Sequence, residues 1–444
     1  MIDWPHYASE EGFVAGLAGP LGWYYLGVAA LNLGAMWYAL RRRRSRLEAV
    51  VWALMGMAFA GLGGLAMSGH PLVLPEWLKD ACDRALGPVT FTLGAMAGLV
   101  IFYLGRRVLV QPLVSWTALN VSLLLMGASM TDPDFARTVS RPDNVPIVGM
   151  VYLLAFFTWL GTAQAVRNDE RLRRGQGPVE AGFTDKVLVW PDVVYIELIG
   201  AIVATVVLVV WSLLIPAPLE EPANPAVTPN PSKAPWYFLG LQEMLLYFDP
   251  AVAGVVLPAL IILGLMAIPY LDPNPRGSGY YTVDQRRFGW AVFLFGFLGL
   301  WILLILIGTF MRGPNWSFFG PYEPRDPHKI AAATNIKLCE YFWAVWLGRG
   351  VPRVPPESGG LQKLGIILWR EIAGLTLTCA YFVVLPAVLA RTALRRMRQA
   401  MGRARYWVMI LLLLMMLMLP LKMILNWTAH LSYIVSIPEY SFNL

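Results

Sequence analysis

Apolar runs of about 20 residues recur along the whole of this chain, and no other feature restricts its fold so strongly. Each run is long enough to cross the hydrocarbon core of a bilayer as a helix. Ten can be marked, at roughly 21–40, 48–68, 86–105, 109–130, 146–166, 192–215, 251–270, 288–311, 364–390 and 406–426. They are continuous in Leu, Val, Ala, Met and Phe rather than alternating, which argues for helices and against a barrel. Composition agrees: 57% of residues are hydrophobic and 14% charged, against about 25% charged in soluble domains. The expected fold class is an all-α polytopic membrane protein with about ten transmembrane helices. No cleavable signal peptide is evident, because the first run starts near Leu21 without a basic segment before it.

The basic residues set the expected topology. Arg41 to Arg46, Arg106 and Arg107, Arg167 to Lys186, Arg276 to Arg287, and Arg391 to Arg405 occupy alternate loops. Those loops hold 21 of the 35 Lys and Arg residues, so the positive-inside rule places them in the cytoplasm. Both termini and the loop after the sixth run then face outward. The net charge of +7 is explained by these topology determinants and carries no nucleic-acid signal. A polar stretch at 168–186 divides the chain into a five-helix N-terminal membrane domain, 1–168, and a second membrane domain, 190–444. The first has no readable role beyond scaffolding or partner docking. Its Gly61, Gly63, Gly64, Gly94 and Gly98 suit close helix packing.

Cysteine and histidine usage excludes several cofactors. Cys82, Cys339 and Cys379 lie far apart, and no Cys-x-x-Cys-His or paired-Cys metal motif exists. Free thiols are expected, although one disulfide is open. His6, His70, His328 and His430 all fall at segment ends or in loops, so two bis-histidine haem sites cannot be assembled. No haem and no metal ligand set is expected on this chain.

The richest local signal is the loop 216–250. Pro216, Pro218, Pro222, Pro225, Pro229, Pro231 and Pro235 keep it extended and stiff. It then runs into Lys233-Ala234-Pro235-Trp236-Tyr237-Phe238 and a stretch to Phe248 that can form a short interfacial helix. Trp236, Leu239, Glu243 and Tyr247 fall on or near one face of it. Trp236 and Tyr237 could be plain interfacial aromatics, with Glu243 solvated or paired to Lys233.

This loop resembles the quinol-oxidising loop of cytochrome b, where a Pro-Glu-Trp-Tyr-type motif joins two membrane helices. The Lys-Ala-Pro-Trp-Tyr form is similar to that of menaquinol-type cytochrome bc complexes with a split cytochrome b. The sixth to eighth runs, with Pro269-Tyr270-Leu271-Asp272-Pro273 and Arg312-Gly313-Pro314-Asn315-Trp316, resemble subunit IV, the C-terminal half of cytochrome b. The resemblance is good over 190–320 and weaker over 320–444. It implies a haem-free subunit of a dimeric complex in a bacterial inner (cytoplasmic) membrane, with menaquinol as substrate. It also implies partners: a di-haem cytochrome b N-terminal subunit, and an iron–sulfur or multihaem cytochrome c subunit. Quinol oxidation needs an apolar slot, hydrogen-bond partners for the hydroxyls, and a group that accepts a proton without staying charged in a dry site. Residues 233–238 are the expected quinol-binding segment, Tyr237 a hydrogen-bond partner and Glu243 a proton acceptor. Glu243 would stand in for the motif carboxylate, which Pro235 replaces here. The alternatives are a structural subunit of a respiratory supercomplex that has kept the loop without the reaction, or a haem-free quinol-binding anchor of a molybdopterin-type oxidoreductase.

Other residues invite functional readings. The long loop 313–362 is a candidate docking surface for an electron carrier, with Trp343 and Trp346 as interface anchors; His328 there has no second ligand near it. Glu197 and Glu371 fall inside membrane runs, where a charge costs a few kcal/mol. Each suits either a proton path or a buried or snorkelled carboxylate. Lys422 is expected to snorkel.

Overall fold

The structure is a computed structural model and describes residues 10–183, 186–214, 222–274, 279–330 and 335–444. His6, Pro216, Pro218 and Arg276 lie outside the described residues.

Among the described residues, ten helices are long and apolar enough to cross a membrane, and they fall where the apolar runs lie. The first half contains α1 (Gly12–Arg43) and α2 (Arg46–Met67), then a short α3 (Glu76–Ala85). It continues with α4 (Pro88–Leu109), α5 (Pro112–Ser129), a short α6 (Pro133–Val139) and α7 (Asn144–Arg173). The second half has α8 (Val189–Leu214), a short α9 (Trp236–Met244), α10 (Val252–Leu271) and α11 (Arg287–Met311). After the long loop come α12 (Gly360–Arg370), α13 (Ile372–Leu389), α14 (Arg395–Met401) and α15 (Arg403–Ala429). A two-residue hairpin, β1 (Ser436–Ile437) with β2 (Phe442–Asn443), closes the chain.

Small residues decide where helices touch. α1 crosses α2 at Gly22 and Gly63, where an added Cβ on either would stand 3.2 Å from the other's carbonyl oxygen. Of the five glycines expected at helix contacts, Gly63 alone serves that purpose; Gly61, Gly64, Gly94 and Gly98 face open space. Spacing along a run does not reveal which glycine faces a neighbour. Phe13, Leu17, Leu21, Tyr25 and Phe59 make the core of this half. Asn32 and Asn120 bond each other inside it at 2.6 Å.

The two halves are joined at both ends of the bundle. At the end with the basic loops, α7 continues through the expected linker to Arg173, because Asn168 and Asp169 are buried. The Asp169 carboxylate accepts from Thr282 Oγ1 at 2.5 Å and from the Val283 N–H at 3.2 Å. Asn168 donates to Tyr281 O at 3.0 Å. At the opposite end, Tyr322 donates its N–H to Asp83 at 3.0 Å and lies 2.8 Å from the Ser129 hydroxyl. Between them, Met96 and Leu99 of α4 close on Gly299 of α11.

One membrane element differs from expectation. The ninth run, expected as one helix over 364–390, is broken between Arg370 and Glu371. Both side chains turn to the C-terminal segment: Arg370 bonds Glu439 at 2.7 and 2.8 Å, and Glu371 accepts the Ser436 N–H at 3.1 Å. Glu371 is therefore a buried paired carboxylate at a helix break, not a charge within a span. α8 stands apart, since none of its residues is buried within the chain. Glu197 is exposed on it.

Candidate functional site

Pro235 sets extended backbone and Trp236 begins α9. Gly240 of α9 packs on Ile305 and Leu304 of α11, and Leu239 lies against Gly308. This puts Leu239, Gly240, Glu243 and Met244 on the buried face. Trp236, Tyr237 and Phe238 project away from the protein, 39, 49 and 50% exposed. Their rings form one aromatic edge, Trp236 to Tyr237 at 5.6 Å and Tyr237 to Phe238 at 4.8 Å between centroids. Trp236 thus departs from the face it was expected to share with Glu243 and Tyr247.

Four polar ties hold that edge in place. Gln242 accepts from the Ala234 N–H and donates to Ser232 O, both at 2.8 Å, folding the proline-rich approach back on α9. Asn230 and Asn315 bond reciprocally, with the Asn315 N–H at 2.6 Å and the side-chain amides at 2.9 Å. Lys233 Nζ donates to Thr309 O at 2.9 Å, near the carboxyl end of α11, where a cation complements the helix dipole. The fourth tie is Glu243. Its side chain is fully buried, and Arg312 Nη2 meets it at 2.6 Å. Arg312 Nε, the Tyr247 hydroxyl and Trp316 Nε1 also donate to it, at 3.0, 3.0 and 3.2 Å. Asn315 and Trp316 both have φ near +55°, a region a bulky residue seldom occupies. That turn aims the Trp316 indole at Glu243.

The expected roles sort accordingly. Of residues 233–238, Trp236, Tyr237 and Phe238 are exposed side by side, while Lys233 turns inward to Thr309 O. Glu243 sits behind the exposed rings, committed to Arg312 rather than to Lys233 or to solvent. Arg312 is held above the usual guanidinium range by Glu243 against the opposing effect of burial, and burial raises the Tyr247 hydroxyl well above its usual value. Burial pushes Lys233 down to about 8, with Arg141 and Arg325 adding to it and Asp143 and Glu243 opposing it. Gln242, Thr309 and Asn230 were not singled out from sequence. Gln242, seven residues past Pro235, carried no signal that it would fold back on the proline-rich approach.

Elsewhere, two expectations change. Trp343 is buried and donates to Arg370 O at 2.9 Å, whereas Trp346 is exposed. Lys422 does not snorkel: Phe248 and the C-terminal segment cover it, and its ammonium lies 5.4 Å from the Phe248 and Tyr433 ring centroids. The three cysteines are free thiols. His70 and His328 are exposed in loops, and His430 caps α15.

Residues 222–321 match the family model described as cytochrome b (C-terminal)/b6/petD. The matched stretch runs from the proline-rich approach through α9, α10 and α11 to the turn after Trp316. The chain therefore carries a cytochrome b C-terminal-like domain, the domain type of a membrane electron-transfer subunit. No solved structure matches the chain.

Proposed function

We propose that this multi-pass membrane protein, with its cytochrome b C-terminal-like domain, forms one wall of a quinol oxidation site in a cytochrome bc-type complex. The observation that carries this is the Trp236–Tyr237–Phe238 edge: three adjacent exposed aromatic side chains on a helix staked at four points. Exposed aromatics are costly in water, but they suit an apolar ring sliding in from the bilayer. Four ties keep the slot at one geometry before its ligand arrives, so little ordering entropy is spent on binding. Tyr237 offers a hydroxyl to one quinol oxygen. Glu243 acts as a positioning residue that fixes α9 to α11.

Among the described residues, His70 and His328 lie in loops and His430 caps α15, an arrangement that does not fit b-haem, so electrons must leave to other subunits. The partners in this reading are a di-haem cytochrome b N-terminal subunit and an iron–sulfur or multihaem cytochrome c subunit, in a dimeric complex. α8 supports a membrane partner, because an apolar helix with no buried residue leaves every face open to another subunit's helices. Menaquinol is the substrate, and the site lies on the outer side of a bacterial inner membrane, where protons are released.

The test is quinol-dependent cytochrome c reduction by the intact complex. Tyr237→Phe should lower turnover by roughly tenfold or more, within the usual effect of losing a group that handles a proton, with subunit assembly unchanged. Unchanged turnover would favour the structural-subunit reading, to which the missing motif carboxylate at Pro235 and the locked Glu243 both lend weight.

A further inference from the structure

Beyond the stretch matched by the family model, a polar cavity of about 230 Å³ lies against the helix break at Arg370–Glu371. Its floor is built from buried groups that already have partners. Arg370 donates to Glu371 at 3.0 Å and to Glu439 at 2.7 and 2.8 Å, and Glu371 accepts the Ser436 N–H at 3.1 Å. The remaining charges are less committed. Lys337 and Arg353 line the cavity, and among the described residues neither meets a carboxylate at ion-pair distance. Glu340, which also lines it, uses one carboxylate oxygen on the Lys337 backbone N–H at 3.0 Å.

Two apolar edges border this cavity. The helical turn Tyr341–Trp346 exposes Val345 and Trp346, and the exposed Leu347 follows it. α12 turns Ile367 and Arg370 inward and Leu361, Leu364, Leu368 and Trp369 outward, so its apolar side faces away from the protein. Both edges are pinned to the cavity wall. Trp343 packs on Trp369 at 5.4 Å between ring centroids and donates to Arg370 O at 2.9 Å. The position along the bundle is fixed by two links. Only Glu371 separates α12 from the membrane span α13. Asn443, on the C-terminal segment that walls the cavity, donates to Asp249 just past α9 at 3.0 Å. The cavity therefore lies at the aromatic edge's end of the bundle, at the start of a span, where headgroups meet the hydrocarbon core.

We propose that this cavity is a phospholipid site, in which Lys337 and Arg353 hold the phosphate and the two apolar edges take the acyl chains. Two cations without carboxylate partners suit a phosphate, whose oxygens accept from both the ammonium and the guanidinium. A soluble anion would use the cations and leave the leucines and tryptophans in water. An apolar protein partner would use the edges and strand the cations in a desolvated contact. A phospholipid satisfies both at once, and the second oxygen of Glu340 can take a hydroxyl or an ammonium of its headgroup. The site is separate from the aromatic edge and does not depend on the quinol reading. It gives Trp346, expected to meet an electron carrier, a lipid neighbour instead.

The experiment is native mass spectrometry of the intact complex in mild detergent, stripped of lipid. It is titrated separately with phosphatidylglycerol, with a phosphate-free glycosyl diacylglycerol and with inorganic phosphate. Phosphatidylglycerol should bind saturably, and the other two roughly tenfold or more weaker. Lys337→Gln and Arg353→Gln should each weaken phosphatidylglycerol about fivefold and together roughly thirtyfold, the usual contribution of basic residues beside an anionic lipid. Trp346→Ser should weaken it as well, which a site for the phosphate alone would not show. Arg349→Gln removes an exposed cation that does not line the cavity and should bind as wild type. An equal loss in Arg349→Gln would reduce the effect to general surface charge and overturn the proposal. Wild-type affinity in the double variant would also overturn it. Inorganic phosphate binding as tightly as the lipid would make this a soluble-anion site, against the proposal. No binding of phosphatidylglycerol to the intact complex would overturn it too, and leave the cavity to a partner subunit.

Discussion

Glu243 shows how far a single side chain can be read from sequence. Its helical spacing with Leu239 and Tyr247 was legible. Its partner was not, because Arg312 lies 69 positions away at the end of another helix. The pair is buried on both sides, 0 and 9% exposed. Glu243→Ala would strand the guanidinium, at a cost of about 3–5 kcal/mol. A lower melting midpoint in detergent checks this, and the double variant Glu243→Gln with Arg312→Gln should regain part of the loss. Glu439 gives a pH prediction. Its hydrogen bonds to Arg370 hold it down to about 2, below the ordinary 4.5 of an unfolded glutamate. A depressed carboxylate contributes stability that is present above the unfolded value and is lost as pH falls toward the folded one. The wild type should therefore lose thermal stability between about pH 4.5 and 2 more steeply than Glu439→Gln. Parallel acid melting curves would contradict the pairing.

At the scale of elements, the spans were legible because a bilayer demands length and apolarity, and both are local. The break at Arg370–Glu371 was not, because hydrophobic residues flank it on both sides and its cause is the distant Ser436–Glu439 segment. The position of α9 was legible from the proline-rich approach, but not its exact pose. Its pose depends on close contact with α11. A Cβ on Gly308 would stand 3.2 Å from Leu239 Cβ and 3.3 Å from Leu239 O. Gly308→Val should push α9 outward and weaken quinol binding while leaving subunit assembly intact, seen as a raised KM. Gln242→Ala should act on the approach instead. It removes two bonds at 2.8 Å and leaves the Ala234 N–H to find another partner, at about 1–3 kcal/mol. Faster proteolysis within 222–235 is the readout; unchanged cleavage would mean that the prolines alone hold the segment.

For the whole molecule, the two halves were separable in sequence but their union was not visible. Asp83, Ser129, Asn168 and Asp169 look like ordinary polar residues at helix ends, and their partners lie more than 100 positions away in the second half. Those contacts fasten the first half to the second at both ends of the bundle. α8 is the opposite case, a long apolar helix none of whose residues is buried within its own chain. The account therefore places this chain in a larger complex, and its composition is the most direct test. The chain should be purified through a tag in mild detergent, with mass spectrometry and a haem spectrum of what accompanies it. The account predicts a b-haem subunit with paired histidines, together with an iron–sulfur or c-haem protein. A stable complex with no b-haem subunit would contradict it.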